Sequence, residues 1–164
     1  MRVYHIDFKY EYLGISQFQM LGVNGVFKLS NSRVVSLDKS KLDVVKIHDY
    51  ISNRSYWGKG RTIEQTKASI ESSICFGIYI NGEQVAFARV VSDTVTFAYL
   101  MDVIVFEKYQ GNGIGTQLME AVLNYPDLKS VNWLLNTSGA HGLYEKFGFS
   151  KVKEPTNYMS KATI

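Results

Sequence analysis

The chain has 164 residues, of which 46% are hydrophobic and 20% charged, and a formal charge of +3, the profile of one ordinary globular domain and not of a disordered or fibrous chain. Its lysines and arginines are scattered rather than blocked, which argues against nucleic acid as a partner, and its single cysteine, Cys75, excludes an intramolecular disulfide and a cysteine-based metal site. No stretch reaches the roughly 18 apolar residues of a membrane span, and charge and Tyr stand where a secretory leader is apolar, so the expectation is a cytoplasmic protein without a membrane partner.

Residues 1–32 read as an N-terminal extension, an added hairpin, ahead of a main domain over 33–164. Tyr4, Ile6, Phe8 and Tyr10 alternate like a strand, and Val23-Asn24-Gly25-Val26 carries a hairpin turn signal. Residues 33–37 form a short β-like run, and Asp38 or Ser40 is placed to cap a helix with apolar positions Leu42, Val45 and Ile47. Next comes Asn53-Arg54-Ser55-Tyr56-Trp57-Gly58-Lys59-Gly60, a polar, glycine-flanked loop. Its two large aromatics either plug the core edge or face a ligand. Residues 62–73 read as a second helix, with Thr62 and Gln65 spaced as a capping box. Residues 75–80 and 84–91 flank the turn dipeptide Asn81-Gly82, and 94–106 follows as a long strand, which makes an antiparallel meander. Within that last strand Asp102 is the one carboxylate of an apolar run. A buried carboxylate is costly unless paired or functional, so Asp102 reads either as a base or amine anchor, or as a structural partner of Arg89 or a backbone amide.

The stretch Tyr109-Gln110-Gly111-Asn112-Gly113-Ile114-Gly115-Thr116 then opens a helix whose apolar side is Ile114, Leu118, Ala121 and Val122, stopped by Pro126. Alternating glycines let backbone amides face a ligand, and the helix adds its positive dipole end, so the turn suits phosphate oxygens. Two common phosphate loops fail on spacing: no Lys follows the final glycine, and Gly113 and Gly115 are too close for the dinucleotide fingerprint. Residues 131–135 read as a buried strand parallel to 94–106, because a helix of crossover length joins them. Ala140, Leu143, Tyr144 and Phe147 mark a short fourth helix ended by Gly148. Residues 149–152 and 158–161, broken by Pro155, suit a closing strand pair.

The glycine stretch resembles the acyl-CoA loop of the GNAT superfamily of N-acetyltransferases, which runs Arg or Gln, two residues, Gly, one residue, then Gly or Ala. Gln110, Gly113 and Gly115 fill it. Gly142-Leu143-Tyr144-Glu145-Lys146-Phe147-Gly148-Phe149 is similar to that family's C-terminal helix, which reads Leu-Tyr, two residues, then Phe or Leu with Gly-Phe. The resemblance covers residues 33–161. It implies an α/β (α+β) GNAT fold with a mixed, mostly antiparallel sheet flanked by about four helices. It also implies acetyl-CoA as cosubstrate, no metal, and a small-molecule amine as partner.

By the same resemblance, Val103 and Val105 offer main-chain groups to the acetyl carbonyl and the pantetheine arm. Gln110, Gly111, Asn112, Gly113, Ile114, Gly115 and Thr116 hold the pyrophosphate, and Tyr144 protonates the departing thiolate. Tyr56, Trp57 and Tyr99 border the acceptor, Asp102 is the leading base and hints at a cationic acceptor, and Tyr99 is an alternative base. His141 is weighed as a proton relay, and Cys75 as a buried structural thiol. Two departures stand out: Thr137 replaces an Asn that many relatives place seven residues before the helix Tyr, and Gln110 replaces a commoner Arg. The implied activity is acetyl transfer to a primary amine of a small molecule by direct attack. Alternatives are acetylation of a protein or peptide, and a noncatalytic acyl-CoA-binding module; a homodimer is common in such folds.

Overall fold

A computed structural model describes the backbone of residues 19–20, 26–28 and 33–161, with the side chains of 33–161. One sheet runs in chain order through β1 (Gln19–Met20), β2 (Val26–Lys28), β3 (Arg33–Ser36), β4 (Ile74–Ile80), β5 (Glu83–Ser92), β6 (Phe97–Val105) and β7 (Asn132–Leu135). Neighbours are antiparallel except β6 and β7, which are parallel. A parallel pair needs a crossover, and the helix α3 (Ile114–Leu123) supplies it. Helices α1 (Val44–Asp49) and α2 (Ile63–Glu71) lie between β3 and β4, and α4 (His141–Glu145) follows β7. The mixed sheet and four α-helices are those that the sequence predicts. The alternating run at 4–10 and the turn at 23–25 lie outside the described residues.

Two apolar clusters flank the sheet. Phe76, Ile78, Ala88, Val90, Ala98 and Leu100 pack with Ile114, Leu118, Met119 and Val122 of α3 on one face. Cys75, Phe87, Ile104 and Phe106 pack with Leu42, Ile47, Ile51 and Ile70 on the other. One residue of β6 decides which face each side chain joins. The register steps from Arg89↔Met101 to Phe87↔Ile104, so β6 carries an extra residue opposite Ala88. Asp102 there takes a φ of +48°, a left-handed conformation that Asp tolerates better than most residues. An extra residue inverts strand alternation. Ala98 and Leu100 therefore face the α3 cluster, as Val103 and Val105 do, while Ile104 and Phe106 face the other side.

Local sequence explains the helix starts. Thr62 Oγ1 accepts the Gln65 N–H and Gln65 Oε1 accepts the Thr62 N–H, the complete capping box. The first helix starts later than its sequence predicts: Asp38 caps a 3₁₀ turn at Lys39–Lys41, and Asp43 accepts from the Lys46 N–H to cap α1. Val45 is consequently 74% exposed instead of apolar-facing. The closing strand pair is also corrected: 149–152 and 158–161 form no strand, and a 3₁₀ turn at Pro155–Asn157 separates them. Proline removes a ladder donor there, and most of this stretch is exposed.

Tyr79 of β4 buries a hydroxyl that meets no hydrogen-bond partner among the described residues, and burial, with Asp38 and Asp43 nearby, pushes the phenol up to about 12. An unpaired buried hydroxyl is a net cost. Tyr79→Phe is expected to leave thermal stability unchanged or raise it by up to about 1 kcal/mol in a chemical melt; a clear loss would mean that the hydroxyl has an acceptor.

Candidate active site

The parallel ladder between β6 and β7 ends at Leu100↔Leu135. Beyond it the edge of β6 carrying Val103 and Val105 has no strand partner among the described residues, and the two strands part into a cleft. Such an edge can pair with an extended, amide-bearing chain. Val105 offers less than Val103, because its carbonyl already accepts from Gln110 Nε2 at 2.9 Å.

That bond fixes the start of the glycine loop. Gly111 and Gly113 take φ of +77° and +73°, with open space where a Cβ would stand. Gly113 is the N-cap of α3 and brings no side chain to cap it. The first i→i−4 bond is Gln117 N–H to the Gly113 carbonyl, so the amides of Ile114, Gly115 and Thr116 lack an acceptor within the helix. Free amides at a positive helix end fit phosphate oxygens. Asn112 turns its side chain back onto the carbonyls of Tyr109 and Gln110. The Gln110 carboxamide likewise binds inward, on the Val105 carbonyl. A cation stands beside this loop after all. Arg33 Nη1, reaching over from β3, donates to the Asn112 carbonyl at 3.2 Å and to Gln117 Oε1 at 2.6 Å. Its pairing spans 79 residues, which no local motif signals.

Deeper in the cleft lies a cavity of about 450 Å³, bordered by Tyr56, Trp57 and Arg61, by Tyr99, Asp102 and Val103 of β6, and by residues 136–140 and Tyr144. The fold thus gathers six of the predicted site residues. Tyr56 closes one side: its hydroxyl accepts the Ser138 N–H at 2.7 Å. Hydrogen bonds from Ser138 hold this phenol below its usual range. Tyr144 differs. Burial, then the neighbouring Tyr56, pushes its phenol up, and its hydroxyl has no hydrogen-bond partner among the described residues. Phe149 packs edge-on to its ring at 6.0 Å. Two tyrosines pushed in opposite directions across one cavity are a candidate proton-handling pair.

Asp102 is held from three directions. Trp57 Nε1 donates to Oδ1 at 3.0 Å, Arg61 Nη1 and Nη2 reach Oδ2 and Oδ1 at 2.8 and 3.3 Å, and Arg89 Nε reaches Oδ2 at 2.9 Å. Burial raises this carboxyl, but the hydrogen bonds and charges of Arg61 and Arg89 outweigh it and hold the group below the usual carboxylate range. Its side chain is 1% exposed. A base at this position would first have to break one of those bonds, and a lowered pKa makes it a weaker one. The same pairing argues against reading Asp102 as a seat for a cationic acceptor, since two guanidiniums already over-neutralise the carboxylate. Arg89 was legible as a charge inside the apolar run 85–91, whereas Arg61 gave no signal.

Other residues that the sequence singles out have no direct part in this chemistry, although Thr137 lines the same cavity. His141 borders a separate hollow of about 510 Å³ between β7, α4 and the C-terminal stretch; Tyr144 borders both cavities. Thr137 spends its hydroxyl on the Ala140 N–H, turning the chain into α4. Cys75 is buried and its thiol is pushed up to about 11 by burial, which removes the thiolate a nucleophile needs. Among the described residues no cluster of His, Cys, Asp and Glu could hold a metal ion, and no helix is long and apolar enough to cross a membrane.

Comparison with known proteins agrees with this geometry. The family model described as acetyltransferase (GNAT) domain matches residues 71–151. A Gibberella zeae protein, provisionally named an acetyltransferase, is 31% identical over 144 residues, which span 74% of this chain and 81% of that one. A solved Xanthomonas campestris structure, provisionally assigned to the GNAT family, is 42% identical with a TM-score of 0.78, over 80% of this chain and 93% of the other. The ribosomal-protein-S18-alanine N-acetyltransferase of Escherichia coli shares the fold alone, at 22% identity and a TM-score of 0.59 over 74% and 79% of the two chains.

Proposed function

The chain belongs to the GNAT acetyltransferase family, and from that premise we propose that it transfers acetyl from acetyl-CoA to the primary amine of a small molecule by direct attack. The observation that carries this reading is the left-handed Gly113 and the amides of Ile114, Gly115 and Thr116 left without an acceptor within α3, on the turn that follows β6, together with Val103 of that strand and Tyr144 on the wall of one cavity.

Acetyl-CoA supplies the acyl group as a thioester when bound. The amides of Ile114, Gly115 and Thr116, with Gly111 and Gly113 keeping the surface concave, hold its pyrophosphate, and Arg33 braces the loop. Backbone at Val103 pairs with the pantetheine arm and the acetyl oxygen. Tyr144 donates a proton to the departing sulfur: an ordinary phenol near 10 and a thiol near 8.5 are close enough for transfer, and although burial makes this phenol a weaker acid, it also keeps the proton on Tyr144 until the thiolate leaves. Asp102 takes a positioning role, orienting Trp57 and Arg61 at the acceptor wall. The acceptor's own proton leaves through the Tyr56 side or solvent, for no base stands free at Asp102.

A small acceptor is favoured over a protein one because the Tyr56–Ser138 bond ties two loops together across the cavity. The noncatalytic alternative has no use for a Tyr144 hydroxyl that meets no hydrogen-bond partner among the described residues. Calorimetric titration with acetyl-CoA, together with thiol release in the presence of an amine panel, tests the reading. Binding with turnover is expected, and Gly113→Val should weaken acetyl-CoA binding by roughly 5- to 150-fold, because the free loop relaxes away from a φ that costs a β-branched residue roughly 1–3 kcal/mol and binding has to restore it. No binding by the wild-type protein would sink the assignment; binding without turnover of any amine would leave the noncatalytic module.

A further inference from the structure

The geometry points to an acceptor that carries an oxyanion, a carboxylate or a phosphate, beside its amine, with the outer edge of Arg61 as the anion's seat. The inference rests on the acetyltransferase reading and names the substrate class of the same cavity.

The argument is one of charge and donors. Arg89 alone balances Asp102: its Nε binds the carboxylate, its Nη1 binds Ser73 Oγ at 3.1 Å, its Nη2 meets Met101 Sδ at 3.2 Å, and its side chain is 7% exposed. Every nitrogen of that guanidinium is engaged, so Arg89 belongs to the protein interior. Arg61 is a second cation on the same carboxylate, and neutrality does not need it. It spends one N–H of Nη1 and one of Nη2 on Asp102, and of its five donors three meet no acceptor among the described residues. With a side chain 17% exposed, it is more open than its partners. Asp102 is its one acidic partner among the described residues.

Arg61 also stands where two hollows meet. One is the cavity that holds Tyr144. The other is a more open hollow bordered by Lys59, Arg61, Gln65 and Ser69, with no acid in its lining; Arg89 borders it as well, but its charge is spent on Asp102, so Lys59 and Arg61 carry the positive charge of this wall. A positive wall of this kind repels a cationic amine and attracts an oxyanion, and the guanidinium fork binds carboxylate or phosphate through paired N–H donors. Asp102 fixes the inner edge of Arg61, leaving its outer edge preorganised.

Matched acceptors test this. The pairs are an amino acid against its amide, 3-aminopropanoate against its amide, and 2-aminoethyl phosphate against ethanolamine, with a diamine as the cationic control. In each productive pair the oxyanion-bearing member is expected to lead in kcat/KM by on the order of 10- to 100-fold, the worth of a hydrogen bond to a charged group. Whether the carboxylates or the phosphate lead separates the two anions. Arg61→Gln should bring the ratio within a pair close to one with the acetyl-CoA Kd unchanged, while Arg61→Lys keeps part of it. A merely structural Arg61 would lower both members equally and leave the ratio intact, which overturns the inference. So does a preference for neutral amines or the diamine, or a failure of every anionic acceptor by a protein that binds acetyl-CoA; in those cases the acetyltransferase reading stands apart. Failure to bind acetyl-CoA removes both.

Discussion

Tyr144→Phe should reduce kcat by about 10²–10⁴, the usual worth of a positioned general acid, and leave acetyl-CoA binding and the melting curve unchanged. The expectation is sharp because the hydroxyl does nothing for the fold. It has no hydrogen-bond partner among the described residues, and the ring keeps its edge-to-face contact with Phe149 whether or not the oxygen is present. Burial, then the nearby Tyr56, holds the phenol above its ordinary value of 10. The proton therefore stays on Tyr144 throughout the neutral and mildly alkaline range, and a decline of kcat caused by its loss should begin only above that value. Turnover retained in Tyr144→Phe would make the residue a packing element. Equal losses in Tyr144→Phe and Tyr144→Ala, with a normal Kd for acetyl-CoA in both, would attribute the effect to the proton and not to the shape of the cleft.

The parts of this site that sequence revealed are those built from neighbouring residues. The glycine loop, the capping box at Thr62 and the Asn81-Gly82 hairpin are local, and each has a backbone reason that a short window contains. Asp102 was legible as a charge in an apolar strand, but its meaning was not, because the bulge that turns it toward Arg89 and Arg61 depends on register against β5. Arg33 and Arg61 reach partners 79 and 41 residues away. No periodicity encodes such a meeting, and it was these two arginines that changed the electrostatic picture of both halves of the cleft. The C-terminal error has the same origin in reverse: residues 149–152 have strand-like composition, yet a strand exists only where a neighbour offers its edge.

Asp102→Asn should cost about 3–5 kcal/mol of stability near neutral pH, the penalty for leaving buried charge unpaired. Asn has nearly the same shape and also accepts the left-handed conformation found at this bulge, with φ of +48°, so the substitution removes charge with little backbone strain. What remains is Arg61 and Arg89 side by side, at 17% and 7% side-chain exposure, with no carboxylate between them. The pH dependence supplies an independent check. Burial raises the Asp102 carboxyl, the arginines lower it further, and the folded-state value lies below 3.8. A depressed carboxylate contributes stability that is fully present above the unfolded value and is lost as pH falls through the folded one. The difference between wild type and Asp102→Asn should thus be constant from neutral pH down to mild acid and shrink progressively below about pH 4, where protonation makes the wild-type side chain neutral as well. Combining Asp102→Asn with Arg61→Gln should recover part of the loss, because one of the stranded cations goes with its partner, and the double-mutant cycle gives the coupling directly. A difference that stays flat to low pH, or additive losses in the double variant, would show that the arginines are not what Asp102 is there to balance.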